Sequence, residues 1–135
     1  MATIKRFRAF DGASRGGRLH RLTEANAERF AWGLCGVYWI LSEIDGDLVV
    51  TYVGRSRSNI CDRLLKRVNE SDYSHFRLRE TANELTAFHA ECREFHRYGG
   101  TRGLDNIAHP PRPAGHRGRG SMCCVRGCPL RSRQR

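Results

Sequence analysis

The sequence predicts a small α/β (α+β) domain, with a central antiparallel β-sheet built on a hairpin plus a short third strand and flanked by helices. Three observations carry this. Residues 36–42 and 48–54 are rich in Val, Ile, Tyr and Trp, and Asp45-Gly46-Asp47 between them is a strong hairpin signal. Two later stretches instead carry apolar residues at helical spacing. The 135 residues suffice for one domain with one modest core.

Residues 1–22 are rich in Gly and Arg and read as a loose basic N-terminal arm. Thr23 can then cap a short helix reaching about Ala31. After the hairpin, Ser58 or Asn59 caps a helix to about Asn69. Its apolar stripe is Ile60, Leu64 and Val68, with Arg63 and Arg67 one turn apart beside it. Residues 71–80 are polar, and the third strand is expected around 75–79. The longest helix spans about 82–98. Leu85, Phe88, Cys92 and Phe95 form one buried seam along it, and Gly99-Gly100 ends it. The folded domain is therefore placed at 23–110. From Pro110-Pro111-Arg112-Pro113 onward, Gly115, Gly118 and Gly120 among arginines predict an extended or disordered tail over 111–135. No internal repeat is present.

The register of the hairpin has a chemical consequence. A two-residue turn at Asp45-Gly46 would pair Tyr38 with Val53 and put Tyr38 and Tyr52 on opposite faces. A three-residue loop would pair Ile40 with Tyr52 and put both tyrosines on one face. A shared site therefore requires a three-residue loop or a bulge.

The net charge is +10, with 24 basic side chains of which only Lys5 and Lys66 are lysines. The segments 1–30, 31–100 and 101–135 carry net charges of +4, −1 and +7, so the middle reads as a folded domain between two basic ends. This balance points to a polyanionic partner. Arginine forks onto phosphate oxygens better than lysine does, which favours nucleic acid; codon bias in a GC-rich genome is the competing reading. The longest apolar stretch, near Trp32 to Leu41, is too short and too glycine-broken to span a membrane. No apolar run follows the N-terminal charges, as a secretory signal would require. A cytoplasmic, reducing setting is expected, with Cys35, Cys61 and Cys92 as buried free thiols.

One ordered set of residues carries chemistry. Gly36-Val37-Tyr38 lies on the first strand and Tyr52-Val53-Gly54 on the second. Arg63 follows on a helix, eleven residues after Tyr52, then His75, then Glu91 on the long helix and Asn106 fifteen residues later. In this order and spacing, residues 35–110 resemble the GIY-YIG nuclease family, named for two short motifs matched here by Gly-Val-Tyr and Tyr-Val-Gly. The run from Glu91 to Gly100, followed by Gly103-Leu104-Asp105-Asn106 and His109-Pro110, is similar to small uncharacterised members of that family. The resemblance implies an endonuclease that hydrolyses DNA with Mg²⁺ or Mn²⁺, leaving a 5′-phosphate and a 3′-hydroxyl.

The residues suit those roles chemically. Phosphodiester hydrolysis needs an activated oxygen nucleophile, charge stabilisation at the phosphate and help for the departing oxygen. Glu91, three residues after Phe88 and four before Phe95, borders the buried seam and would hold one Mg²⁺, with Glu94 and Glu84 as substitutes. Arg63 would clamp a phosphate oxygen, a role Arg67 could take over. Tyr38 would be the general base or its relay, and Tyr52 would position water or phosphate. His75 would assist proton transfer, and Asn106 would order the site by hydrogen bonds. Arg55, Arg57, Arg63, Lys66 and Arg67 are candidate nucleic-acid contacts. DNA is the expected partner, RNA the alternative, and the chain is expected to act as a monomer or transient dimer. Only 28 residues separate Arg63 from Glu91, which is short for this fold and predicts a reduced helix or third strand.

The tail has its own candidate chemistry. Cys124-x₃-Cys128, with Cys123 and His116, could supply a tetrahedral zinc site, and His109 lies upstream; the sequence offers no second clean ligand pair, so zinc is the weaker reading. Two rival functions follow: a nucleic-acid-binding module of the same fold that does not cut, and a zinc-stabilised interaction protein.

Overall fold

The computed structural model describes residues 8–9, 17–70 and 72–131. Its elements in chain order are β1 (Arg8–Ala9), β2 (His20–Arg21), α1 (Glu24–Ala31), β3 (Gly36–Ile44), β4 (Asp47–Ser56), α2 (Ile60–Leu65), β5 (His75–Glu80), α3 (Glu84–Arg97) and α4 (Gly100–Gly103), then a 3₁₀ turn at Arg119–Ser121. The strands form one antiparallel sheet in the order β1-β4-β3-β5-β2. The fold class is the expected α+β. The third strand is present as β5, beside β3, despite the short spacing. Most of the predicted N-terminal arm lies outside the described residues, but β1 and β2 belong to the sheet.

The hairpin reconciles a two-residue turn with a shared tyrosine face. Ile44 pairs with Asp47, and Asp45 and Gly46 both take positive φ (52° and 85°), as a tight turn matching strand twist requires. Of the two expected arrangements, a three-residue loop or a bulge, the structure takes the bulge. The register shifts there: Leu41 faces Val50 but Ile40 faces Tyr52, leaving Thr51 over. Two carbonyls at the bulge find partners outside the strand ladder. Thr51 Oγ1 donates to the Ile40 carbonyl at 3.1 Å, and the Thr51 carbonyl accepts from Asp105 N–H at 2.7 Å.

The bulge sorts side chains onto the two faces of the sheet. Tyr38, Ile40 and Phe76 pack with Ala27, Ala31, Ile60, Cys61 and Leu64, so α1 and α2 cover one face. Val37, Trp39, Leu41, Val50 and Val53 pack with Ala90, Phe95, Tyr98 and Leu104, so α3 and the turn after it cover the other. Thr23 Oγ1 caps α1 by accepting from Asn26 N–H at 3.1 Å. Asn59 caps α2, and its Oδ1 also accepts from Gly33 N–H at 2.8 Å, tying α2 to the end of α1. Helix α2 stops at Leu65, short of the expected Asn69, and residues 66–69 form turns. Helix α3 ends on Gly99 at φ 98°, and Gly100 opens one further helical turn instead of ending the structure.

Two expectations are corrected on the far side of α3. The seam is not single: Phe95 faces the sheet, whereas Leu85, Phe88 and Cys92 pack against Cys123, Val125 and Cys128. Nor are the described residues 111–131 a detached tail, since Ser121 and Cys123 are buried.

Candidate active site

Tyr38, Tyr52, Arg63 and Glu91 line one open cleft of about 420 Å³, together with Gly54, Arg55, Ser56, Arg57, Ser58, Glu84, Pro111 and Ala114. Strand register brings Tyr38 and Tyr52 together, with ring centroids 6.2 Å apart and planes inclined by 25°. Tyr38 lies across Gly54, where a Cβ would run into its ring, so the glycine makes room for the tyrosine. Helix α2 contributes Arg63 to the same cleft, while Arg67, one turn on, lies over the Tyr52 ring at 4.4 Å and pairs with Glu70 at 3.2 Å.

Glu91 is only 5% exposed. Its Oε1 accepts from Arg55 Nη1 at 2.7 Å, and Arg55 also meets Glu84 Oε2 at 3.4 Å and the Pro111 carbonyl at 2.7 Å. Arg55 was expected as a phosphate contact; its side chain is 9% exposed and engaged with these acceptors, so it holds the carboxylate instead. Burial pushes Glu91 up to about 7, against the opposing pull of Arg55. Burial also raises the Tyr38 phenol above its usual value, so at neutral pH it is an intact O–H group. Glu84 shares the cleft. Glu94, the other substitute, does not: it accepts from Trp39 Nε1 at 3.0 Å.

Asn106 is a cross-link. Its Oδ1 accepts from Val53 N–H at 3.1 Å and its Nδ2 donates to the Val53 carbonyl at 2.7 Å, satisfying both backbone groups of Val53, beyond the Val49–Val50 stretch that the described residues of β1 pair with. It lines a second cleft shared with Tyr52, Arg67 and Glu91. His75 is not brought to either cleft: at the start of β5 it pairs with Arg21 across the sheet and its Nδ1 lies 2.8 Å from Ser74 Oγ. Arg57, Arg63 and Lys66 are exposed.

A separate cluster could hold a metal ion. The ligand atoms of His96, His109, Cys123 and Cys128 all lie within 4.8 Å of one another. His116 and Cys124, both expected as ligands, are not in it. Cys124 is exposed, with its Sγ 3.7 Å from the His89 carbonyl. His96 was missed because it pairs with the tail only once α3 and the tail have packed. Likewise, nothing in sequence spacing marks Arg55 as the partner of Glu91.

No helix among the described residues is long and apolar enough to cross a membrane. Comparison of the chain with family models, curated proteins and solved structures gave no match.

Proposed function

We propose that this chain is a GIY-YIG-type endonuclease that hydrolyses DNA phosphodiester bonds with one Mg²⁺ or Mn²⁺ held by Glu91. The observation that carries this reading is the convergence of Tyr38, Tyr52, Arg63 and Glu91, from four different elements, on one open cleft. These are four of the six residues whose order along the chain resembles that family; His75 and Asn106 are not in the cleft.

The donor set fits a hard divalent ion that keeps most of its waters: one buried carboxylate, beside serine hydroxyls and tyrosine phenols. Arg55 occupies Oε1, which leaves Oε2 as the ligand atom and fixes the plane of the carboxylate. When bound, the ion would neutralise charge on the scissile phosphate and on the departing oxygen. Arg63, exposed at the rim, clamps a non-bridging phosphate oxygen. Tyr38 keeps its proton at neutral pH, so it orients the attacking water through a hydrogen bond and does not act as a free phenolate base. Tyr52 supports the same water or phosphate from the neighbouring strand. Asn106 acts by holding β4 in place. Arg57, Lys66 and the net charge of +10 supply affinity that falls steeply with salt. One such site cuts one strand, so a double-strand break takes two encounters or a transient dimer.

The second reading is a module that binds nucleic acid without cutting. The Arg55–Glu91 ion pair favours it, because the guanidinium already neutralises the proposed metal ligand. Plasmid nicking with Mg²⁺ or Mn²⁺ against EDTA, run beside Glu91→Ala, separates the two. Metal-dependent nicking that is lost in the variant is expected. DNA binding by both proteins with no nicking under either metal would sink the nuclease reading.

A further inference from the structure

We propose that His96, His109, Cys123 and Cys128 form a closed structural zinc site that staples the C-terminal segment to α3 and so holds one wall of the cleft in place. The inference stands on this cluster and does not depend on the nuclease reading.

The donor set comes first. Two thiols and two imidazoles are a tetrahedral Cys₂His₂ set, and four protein ligands leave no open position for a substrate, which separates a structural from a catalytic zinc. Two thiolates balance the charge of Zn²⁺, so the filled site is neutral, as a partly buried site should be. Among nearest neighbours, Cys123 Sγ lies 3.7 Å from His96 Nε2, and Cys128 Sγ lies 3.5 Å from His109 Nε2. These are the separations expected along the edges of a tetrahedron of roughly 2.0–2.3 Å metal bonds.

The surroundings point the same way. His109 Nδ1 lies 2.9 Å from the Pro110 carbonyl, an acceptor that fixes the proton on Nδ1 and leaves the Nε2 lone pair for a metal. Each proposed thiolate also receives a backbone N–H from two residues on: Val125 N–H to Cys123 Sγ at 3.5 Å, and Leu130 N–H to Cys128 Sγ at 3.4 Å. Such donors stabilise negative sulfur. Between the two cysteines the chain makes a tight turn, with Cys128 N–H donating to the Val125 carbonyl at 3.2 Å and Gly127 at φ 89°, which folds Cys128 back beside Cys123. Cys124 points elsewhere and takes part in none of this.

The position of the cluster gives the site its purpose. Residues 104–131 contain one 3₁₀ turn and an isolated bridge as their only regular structure, yet the Pro111 carbonyl accepts from Arg55 and Asn106 pins β4. Chain with so little secondary structure needs another source of order, and a metal bridging it to the last turn of α3 provides one.

Elemental analysis of the full chain, purified under reducing conditions, is expected to give one zinc per chain. Replacement by Co²⁺ should give the intense visible bands of a tetrahedral site with a thiolate-to-cobalt charge-transfer band, a result that needs no variant. Cys124→Ser and His116→Ala should retain the metal, and Cys128→Ser should lose it. Removing zinc with a chelator should open the bonds after Arg117 and Arg119 to trypsin while the hairpin stays protected. Metal-free protein with reactive Cys123 and Cys128 thiols would overturn the proposal, as would octahedral cobalt spectra, or loss of metal in Cys124→Ser with retention in Cys128→Ser. An unchanged tryptic pattern after metal removal would overturn the stapling role.

Discussion

Replacing Glu91 by glutamine should make the protein more stable above neutral pH while abolishing its metal-dependent activity. Burial raises this carboxyl from an ordinary 4.5 to about 7. Between those values the folded chain holds a proton that the unfolded chain has released, so stability falls as pH rises through that window, and the full cost is present above pH 7. The interval corresponds to about 3 kcal/mol. That interval is already net of the 2.7 Å contact with Arg55, which pulls the value down, and breaking a buried ion pair costs roughly 3–5 kcal/mol only when one charge is left alone. Here Arg55 is not left alone: Glu84 and the Pro111 carbonyl remain, and the glutamine Oε1 can still accept from Nη1. Burial therefore wins. The measurement is urea or thermal unfolding of both proteins at pH 5 and pH 8. Glu91→Gln should match the parent near pH 5 and exceed it by up to about 3 kcal/mol at pH 8, on the order of 10 °C in Tm. A variant less stable than the parent at pH 8 would refute the reasoning and make Glu91 a structural partner of Arg55.

The other residues give separable outcomes. Arg63→Ala should lower the cleavage rate about 10²–10³-fold with little effect on unfolding, measured by single-turnover nicking beside a melt, because its side chain is exposed at the cleft. Asn106→Ala strips both partners from the Val53 backbone and should cost roughly 2–4 kcal/mol in urea unfolding, with the rate falling as β4 loosens. Gly54→Ala should cost about 1–3 kcal/mol and displace the Tyr38 ring, visible as a change in near-ultraviolet circular dichroism. His75→Ala should leave nicking unchanged at every pH tested, since the imidazole lies outside the cleft.

The sequence by itself determined the elements and most of the candidate site. Apolar periodicity located α2 and α3, the Thr23 cap located α1, and strand-rich composition around a turn located the hairpin, because local spacing is enough to say which residues share a face. Asp45-Gly46 specified its own tight turn through residues that accept positive φ. The order Tyr38, Tyr52, Arg63, Glu91 was legible because each sits at a set place on its own element. Tertiary structure decided what those elements do to each other. The Thr51 bulge that puts both tyrosines on one face is fixed by Asp105 and Asn106, some fifty residues away, and no local signal announces it. Arg55 became the partner of Glu91 because α3 crosses the end of β4. His96 joined His109 and the two tail cysteines, in place of His116 and Cys124, because folding the tail onto α3 buries Cys123 and leaves Cys124 outside. Short-range pattern fixes direction along a helix or strand; which distant side chains meet is set by packing.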